Sequence, residues 1–596
     1  MKPIQFNPSF SFHKSPLGAL NMKEEATLRL IISKEYHFDW MNLLVTNDQR
    51  DILYRLPMEP CEEQVNQLIY VGRLSLSQEG HYWYYYEVHD VYGTHYLIPD
   101  GGFDAILSDA LSSYWFLGVY DGASIPPKWP LGKIMYQIMV DRFHKGRDIP
   151  CKVGSIVHDD WNGTPLADIN IGRDFFGGNL DGIIKKLDYL QSLSVGILYL
   201  NPIFEAASNH KYDTGDFLKI DSMFGTENDV HRLIEEASVR GISIIWDGVF
   251  NHTGDDSLYF NRYHHYPTIG AYESVDSLYY SWYYFSDYPT VYESWWGFQN
   301  LPRVRQDHPS YLKFITGPKG VLSQWTTFGF RGIRLDVVDE LQTPFVEHIQ
   351  NTLKSIDSEQ FIIGEVWEEA STKCAYGARR SYFNGHELDS VMNYPLRDAI
   401  LNLLETSDGT QLRNTMRLLI SQYPKRVLDR LMNILGTHDT ERLYTMVSLM
   451  NKDEALPLLK IATLLQYTLP GIPCMYYGDE IGLEGMKDPF CRGTFRWERV
   501  GNQINQWYKD LGKLRNNPIF QEGIYREKFF YNGKIGFSRT WMNETILVLI
   551  NMSEDALAYS MPRDRGTLIE WFTKEKIGEE LVLGQYEFAV IKYNNQ

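Results

Sequence analysis

The chain has 596 residues, which is too long for one ordinary domain and predicts about two to four domains. The formal net charge is −19 and no basic run occurs, which argues against nucleic acid or an anionic membrane as the main partner. The five cysteines are scattered without CxxC spacing, so neither a disulfide framework nor a cysteine-based zinc site is expected.

The amino-terminal sequence lacks the continuous apolar segment of a signal peptide, and no stretch is long enough to span a bilayer. We therefore expect a cytoplasmic protein with no membrane association. The alternative is a secreted protein from which a signal peptide has been removed.

The first part of the chain is rich in short β patterns. Runs such as ATLRLIIS, HYWYYYEV and YWFLGVY are separated by turn residues. This pattern predicts an amino-terminal β-sandwich domain over residues 1–122. A glycine- and proline-containing stretch at residues 121–130 is typical of a linker.

Between residues 123 and 510, apolar strand-like runs alternate with amphipathic helical runs. Such alternation is typical of a parallel sheet with crossover helices. Eight strand-like runs in sequence predict an α/β protein built on a (β/α)8 TIM barrel. In chain order the runs are KIMYQIMVDRF, VGILYLNPIF, ISIIWDGVFNH, GIRLDVVDE, FIIGEVW, SVMNYPL, MNILGTHDTER and IPCMYYGDEIG.

Two further regions flank or interrupt this pattern. About fifty residues without a regular period follow the third strand and contain YYSWYYF and YESWWGF. Long insertions of this kind are usually functional, so we expect a small subdomain at residues 253–308 over the active-site face. Residues 511–596 return to β patterns and predict a carboxyl-terminal β-sandwich domain.

Polar side chains follow the apolar part of several predicted barrel strands, where catalytic groups of barrels lie. In the fourth strand, Arg334 and Asp336 are two residues apart and share a face. Taken alone, this pair is either a structural ion pair or a nucleophile that is kept ionised by a cation. Glu365 and Asp439 follow two other strands in the same way, which favours the second interpretation.

Several carboxylates around one pocket suit glycoside hydrolysis, which needs one ionised and one protonated acid. Arg334 would keep Asp336 ionised. Glu365 has no cationic neighbour in the sequence, so burial and nearby acids would raise its pKa and suit a general acid. A metal hydrolase is the competing chemistry, but the histidines lack HxxH or HxH spacing and no cysteine accompanies them.

The segments DGVFNH, GIRLDVVDE, GEVW and GTHDTER resemble the four signature regions of the α-amylase family of glycoside hydrolases. The resemblance spans the barrel and is closest to the neopullulanase, cyclomaltodextrinase and maltogenic amylase group, with amylopullulanase barrels also close. It implies that Asp336 is the nucleophile, Glu365 the acid/base and Asp439 the transition-state stabiliser. The substrate-binding residues that it implies are His210, Tyr212, His252, Arg334, Glu340, Trp367, His438, Asp488 and Arg492.

Members of this group often bind calcium through an Asn- and Asp-rich loop after the first strand. The corresponding stretch here reads FHKGRDIPCKVG, with Lys145, Arg147 and Lys152. Because calcium prefers several oxygen ligands, cations in this loop oppose binding. We expect no required cofactor or metal, and a calcium site that is absent or weak.

The sequence therefore predicts a retaining α-glucan hydrolase that cleaves α-1,4 bonds in maltodextrins, cyclodextrins or pullulan. Two alternatives are an enzyme that also cleaves α-1,6 bonds and one in which transglycosylation dominates. A non-catalytic glucan-binding barrel would be expected to lose acids from the triad, and this chain keeps all three. The resemblance also suggests a homodimer formed through the amino-terminal domain.

Overall fold

Eight short parallel strands form the sheet at the centre of the chain. The computed structural model describes residues 4–167, 172–561 and 566–595. Each strand lies inside one of the eight runs predicted from the sequence. The strands are β1 (Ile134–Ile138), β2 (Val195–Leu200), β3 (Ser243–Gly248), β4 (Gly332–Leu335), β5 (Phe361–Gly364), β6 (Ser390–Val391), β7 (Met432–Asn433) and β8 (Ile472–Tyr476).

The sheet order confirms the predicted barrel. Neighbours follow the order β6-β5-β4-β3-β2-β1-β8-β7, and every pairing along it is parallel. An isolated parallel bridge between Met392 and Met432 joins the two ends of this order. Because the strands are parallel, their carboxyl ends meet at one rim, where polar residues from several strands can converge.

Helices follow the strands with the expected capping chemistry. The helix Glu227–Val239 begins at a capping box between Thr226 and Asp229, and Thr343–Ile356 has proline in its first turn. Both lie between predicted barrel strands, where the strand-like runs of the sequence alternate with amphipathic runs. The other helices of this region are Val140–Phe143, Leu180–Lys185, Leu187–Ser192, Pro309–Thr316, Val321–Thr327, Tyr394–Thr406, Leu443–Met450, Ala455–Thr468, Gln503–Arg515 and Ile519–Glu522.

The insertion after β3 contains little regular structure. Short strands Phe285–Asp287 and Val291–Tyr292 pair antiparallel, and single-turn 3-10 helices cover Tyr280–Trp282 and Trp295–Gly297. Near the end of the insertion, Arg303 forms an isolated antiparallel bridge with His252. His252 lies shortly after β3, which ends at Gly248. The insertion is thereby held beside the carboxyl end of β3.

Two sheets that share one apolar core form the amino-terminal domain. Residues 1–126 belong to a compact unit that also contains residues 368–389 and 410–429, with helices Thr410–Gln422 and Lys425–Leu428. The predicted boundaries assign both later segments to the barrel domain. The principal strands are Glu25–Ser33, Trp40–Thr46, Ile52–Pro57, Glu59–Glu63, Gln67–Ser75, Gly80–Asp90, Gly93–Pro99, Ala105–Ser108 and Trp115–Tyr120.

The carboxyl-terminal domain also packs two sheets around an apolar core. A five-stranded sheet contains Ile524–Tyr531, Lys534–Trp541, Glu544–Asn551, Glu587–Asn594 and Ile569–Glu570, and a two-stranded sheet contains Leu557–Ser560 and Glu580–Leu583. These strands confirm the β pattern predicted for this end of the chain. Within the described ranges, no helix has both the length and the apolar character needed to cross a membrane.

Candidate active site

Arg334 is the centre of the polar cluster at the barrel rim. Its buried guanidinium contacts three carboxylates. Nη1 lies 2.7 Å from Asp247 Oδ1 and 2.8 Å from Asp336 Oδ1, and Nη2 lies 3.0 Å from Glu365 Oε1. β4 ends at Leu335, so Arg334 is in the strand and Asp336 just beyond it, on the same side as the alternation of a strand predicts.

The shared guanidinium corrects two sequence-based expectations. Glu365 does have a cationic neighbour, although that neighbour lies 31 residues earlier in the chain. Arg334 also contacts Asp247 and Glu365, so its charge is not available to Asp336 alone. Burial raises the pKa of the Asp336 carboxyl well above its usual range, Arg334 opposes this, and the Glu365 and Asp247 carboxylates add to the rise. One cation among several buried acids favours retention of a proton in the cluster.

Glu365 is held in place by the segment that follows Asp336. The backbone N–H of Val337 donates to Glu365 Oε2 at 2.8 Å, and Trp367 Nε1–H donates to Oε1 at 3.2 Å. Val337 has φ +38° and ψ +54°, a left-handed conformation that is a strong outlier for a β-branched residue. Strain of this kind costs about 1–3 kcal/mol and clusters at functional sites.

Asp439 lies between a histidine and an arginine. His438 Nε2 is 3.0 Å from Asp439 Oδ2, and Arg492 Nη2 is 3.1 Å from Asp439 Oδ1. The same guanidinium reaches Asp488 Oδ1 at 3.1 Å through Nη1. Arg492 therefore joins Asp439 to Asp488.

His438 is a neutral hydrogen-bond donor in this arrangement. Burial, with Arg492 and Arg334, lowers its pKa well below the ordinary value. Gln137 Nε2 lies 2.9 Å from His438 Nδ1 and is placed to donate to it, which assigns the ring proton to Nε2, facing Asp439. Gln137 was not predicted, although a glutamine inside the apolar run of β1 is the signal that could have identified it.

Tyr212 connects the histidines to Asp247. Its ring is parallel to that of His438 with centroids 5.1 Å apart, and it also stacks on His210 at 5.9 Å. Its hydroxyl donates to Asp247 Oδ2 at 2.8 Å and accepts from Asn201 Nδ2 at 2.9 Å. Asp247 is thus a buried acid that is hydrogen-bonded by Arg334, Tyr199 and Tyr212.

His252 presents an unpaired polar atom. Burial lowers its pKa to about 4, so the ring is neutral at neutral pH. Its Nε2 is buried and has no hydrogen-bond partner among the described residues. A buried polar atom without a partner costs free energy, which a sugar hydroxyl bound at this position would recover.

Two tryptophans extend the cluster outward. Trp367 stacks on Tyr394 with centroids 4.2 Å apart. Trp296 Nε1–H donates to Glu340 Oε1 at 3.0 Å. Gln306 Nε2 donates to Glu340 O at 3.1 Å and to Asn251 Oδ1 at 3.3 Å, and so links Glu340 to the residue before His252. The tandem tryptophans of YESWWGF are the sequence signal for Trp296, which was not predicted individually.

The loop after β1 does not fit a calcium ion. Lys152 Nζ binds Ala206 O at 2.7 Å and lies 2.5 Å from carboxylate oxygens of both Glu205 and Asp221. Although burial disfavours its charge, these two carboxylates raise the pKa of Lys152. Arg147 likewise donates to Asp229 at 2.6 Å. The carboxylates of Glu205, Asp221 and Asp229 are therefore already bound to ammonium or guanidinium groups.

Chelation is therefore expected to leave this protein unchanged. Because Lys152 supplies the positive charge near Glu205 and Asp221, 5 mM EDTA should shift the midpoint of thermal unfolding by less than about 1 °C. Added calcium should have an equally small effect. Differential scanning calorimetry measures both shifts, with a surface variant such as Lys513→Ala as control. A calcium-dependent rise of several degrees would contradict the assignment.

The sequence resembles known α-glucan-acting proteins over most of its length. A sequence profile of the α-amylase catalytic domain matches residues 137–522. An amylopullulanase from Thermoanaerobacterium thermosulfurigenes is 33% identical over 91% of this chain and 33% of its own length. A cyclomaltodextrinase from Geobacillus thermopakistaniensis is 31% identical over 76% of this chain and 75% of its own length.

A solved structure of a cyclomaltodextrinase superposes with a TM-score of 0.73, covers 100% of both chains and is 23% identical. At this identity the likeness supports the fold alone. The chain spans between 33% and 48% of the length of three amylopullulanases that it matches.

Proposed function

This chain belongs to the α-amylase family of glycoside hydrolases, and on that premise we propose that it hydrolyses α-1,4-glucosidic bonds with retention of anomeric configuration. Its substrates would be maltodextrins, cyclodextrins or pullulan. The observation that carries the proposal is the single buried guanidinium of Arg334 in contact with both Asp336 and Glu365. Retaining glycosidases need their two carboxyl groups about 5–5.5 Å apart, and contact with the two Nη atoms of one guanidinium supports such a spacing.

The reaction would proceed in two displacements. In the first, an Asp336 oxygen bonds to the anomeric carbon while the bond to the leaving sugar breaks, and Glu365 gives its proton to the leaving oxygen. In the second, water attacks the anomeric carbon, Glu365 accepts a proton from it and the bond to Asp336 breaks. The first displacement therefore requires Asp336 to be ionised and Glu365 to carry a proton, and the second requires Glu365 to be ionised.

The remaining residues would bind and orient the sugar. Asp439 places negative charge near the oxocarbenium-like transition state, and His438 and Arg492 fix its position. His252 and His210 are neutral because burial lowers their pKa values, so they are suited to hydrogen bonds with hydroxyl groups. Asp488 would hold the sugar toward the non-reducing end.

A product profile tests the proposal. We expect pullulan to yield panose, because α-1,4 cleavage leaves the α-1,6 bond in the product, and we expect β-cyclodextrin to be opened to linear products. Chromatography against standards identifies the products, with heat-inactivated protein as control. Maltotriose from pullulan would show α-1,6 cleavage instead, and the matches to amylopullulanases favour including that outcome. The absence of products from all α-glucans would refute the proposal.

Three further expectations stay predictions. They are transglycosylation, a homodimer formed through the amino-terminal domain, and a cytoplasmic location. The first is measurable in the same incubations as products longer than the substrate. Sedimentation velocity measures the second.

A further inference from the structure

Trp296 is a large apolar side chain that stands in solvent beside the candidate active site. It is 77% exposed, and its neighbour Phe298 is also exposed. Trp295, between them and the cluster, is half-buried, and its ring centroid is 5.6 Å from that of His252. Trp295 and Trp296 have ring centroids 5.7 Å apart. A row of aromatic rings thus leads from His252 outward.

The backbone holds Trp296 in a strained conformation. Its φ is +49° and ψ +27°, in the left-handed region that bulky residues rarely adopt. The turn that carries it is closed by hydrogen bonds from Trp295 N to Leu301 O at 3.0 Å and from Phe298 N to Trp295 O at 2.9 Å. A strained, exposed tryptophan at the tip of an ordered turn contributes little to packing, which points to a binding role.

The indole is further held by Glu340. Trp296 Nε1–H donates to Glu340 Oε1 at 3.0 Å, and Glu340 is in turn tied to Gln306 through its backbone carbonyl. With its N–H directed to Glu340, the orientation of the indole ring is set before any ligand binds. Preorganised aromatic faces bind sugars at a lower entropic cost.

The contacts of Glu365 indicate on which side of the scissile glycosidic bond the Trp296 ring lies. In the proposed reaction Glu365 gives its proton to the leaving oxygen, so the leaving sugar must lie beside Glu365. The Val337 N–H binds Glu365 at 2.8 Å, and the turn Val338–Glu340 follows directly. Asp439, Arg492 and Asp488 form a separate group linked to one another. Glu340 and Trp296 therefore belong to the leaving-group side.

We propose that Trp296, oriented by Glu340, is the platform on which a glucosyl unit of the leaving or accepting chain stacks. It would set the preference for longer substrates and for sugar acceptors over water. This inference rests on the proposed function, because the sides of the site are defined by the roles of Asp336 and Glu365. It concerns specificity and positioning, and Trp296 takes no part in bond making.

Trp296→Ala tests the inference through a comparison of two substrates. Maltohexaose places sugars on the leaving-group side, whereas α-maltosyl fluoride places none there. We expect kcat/KM for maltohexaose to fall about three- to tenfold, the range for one aromatic stacking contact. The loss for maltohexaose should exceed the loss for α-maltosyl fluoride at least about threefold. Tyr531→Ala, which removes an exposed aromatic of the carboxyl-terminal domain, is the matched control.

Two further measurements keep the test decisive. Trp296→Phe retains a ring but cannot donate to Glu340, so it should show a smaller loss of the same selectivity, and it decides the matter if the alanine variant does not fold. With maltose added as acceptor, the ratio of transfer to hydrolysis should fall by a similar factor. Equal losses for both substrates, or no loss for maltohexaose, would overturn the inference. Failure of the wild-type protein to act on either substrate would instead refute the proposed function.

Discussion

Asp336→Asn is expected to lower kcat on maltohexaose by about 10⁴-fold or more while the protein stays folded. An amide cannot form the covalent bond to the anomeric carbon, so the first displacement is lost. Its oxygen can still accept from Arg334 Nη1, which lies 2.8 Å from the Asp336 carboxylate. The substitution also removes one negative charge from a buried, crowded group of acids, so the midpoint of thermal unfolding should be unchanged or raised.

Reducing-sugar release measures the loss of kcat, and calorimetry measures the stability. Asp188→Asn is the control for the same chemical change, because that carboxylate is 81% exposed and pairs with Arg240 at the surface. Retention of more than about a tenth of the wild-type activity by Asp336→Asn would contradict its assignment as nucleophile. A large drop in stability would instead indicate that the Arg334 ion pair is mainly structural.

Glu365→Ala is expected to lower kcat on maltohexaose by about 10²- to 10⁴-fold, the range for loss of a general acid/base. The loss should be much smaller for formation of the glycosyl-enzyme from α-maltosyl fluoride, because fluoride leaves without a proton. Hydrolysis of that intermediate should then be slow, since no base activates water. Azide is already an anion and needs no base, so added azide should accelerate turnover.

The configuration of the azide product distinguishes the two acids. With Glu365→Ala, azide attacks a glycosyl-enzyme on Asp336, and two inversions give α-maltosyl azide. With Asp336→Ala, azide would attack the α-fluoride directly, and one inversion gives β-maltosyl azide. Proton NMR of the anomeric signal identifies each product. Glu365→Gln, whose amide oxygen can still accept from Val337 N–H, controls for loss of local structure. The opposite pairing of variants and products would exchange the two roles.

Much of this architecture can be predicted from the sequence. Alternation of apolar strands and amphipathic helices located all eight barrel strands, because a buried parallel strand must be continuously apolar. The same pattern predicted Asp336, Glu365 and Asp439 as candidate catalytic residues, since a charged residue at the end of such a strand is rare without a function. The prediction that Arg334 and Asp336 share one face follows from the two-residue repeat of a strand.

Only the tertiary structure determined which side chains share a hydrogen-bond partner and how they are oriented. Three hydrogen bonds join residues that are far apart in the sequence. They are Arg334 to Asp247, 87 residues apart, Gln137 to His438, 301 residues apart, and Trp296 to Glu340, 44 residues apart. No local period relates residues so far apart, because barrel closure and the path of the insertion bring them together. One sequence therefore specified which acids line the rim. Only the folded chain placed the guanidinium of Arg334 in contact with Asp247, Asp336 and Glu365.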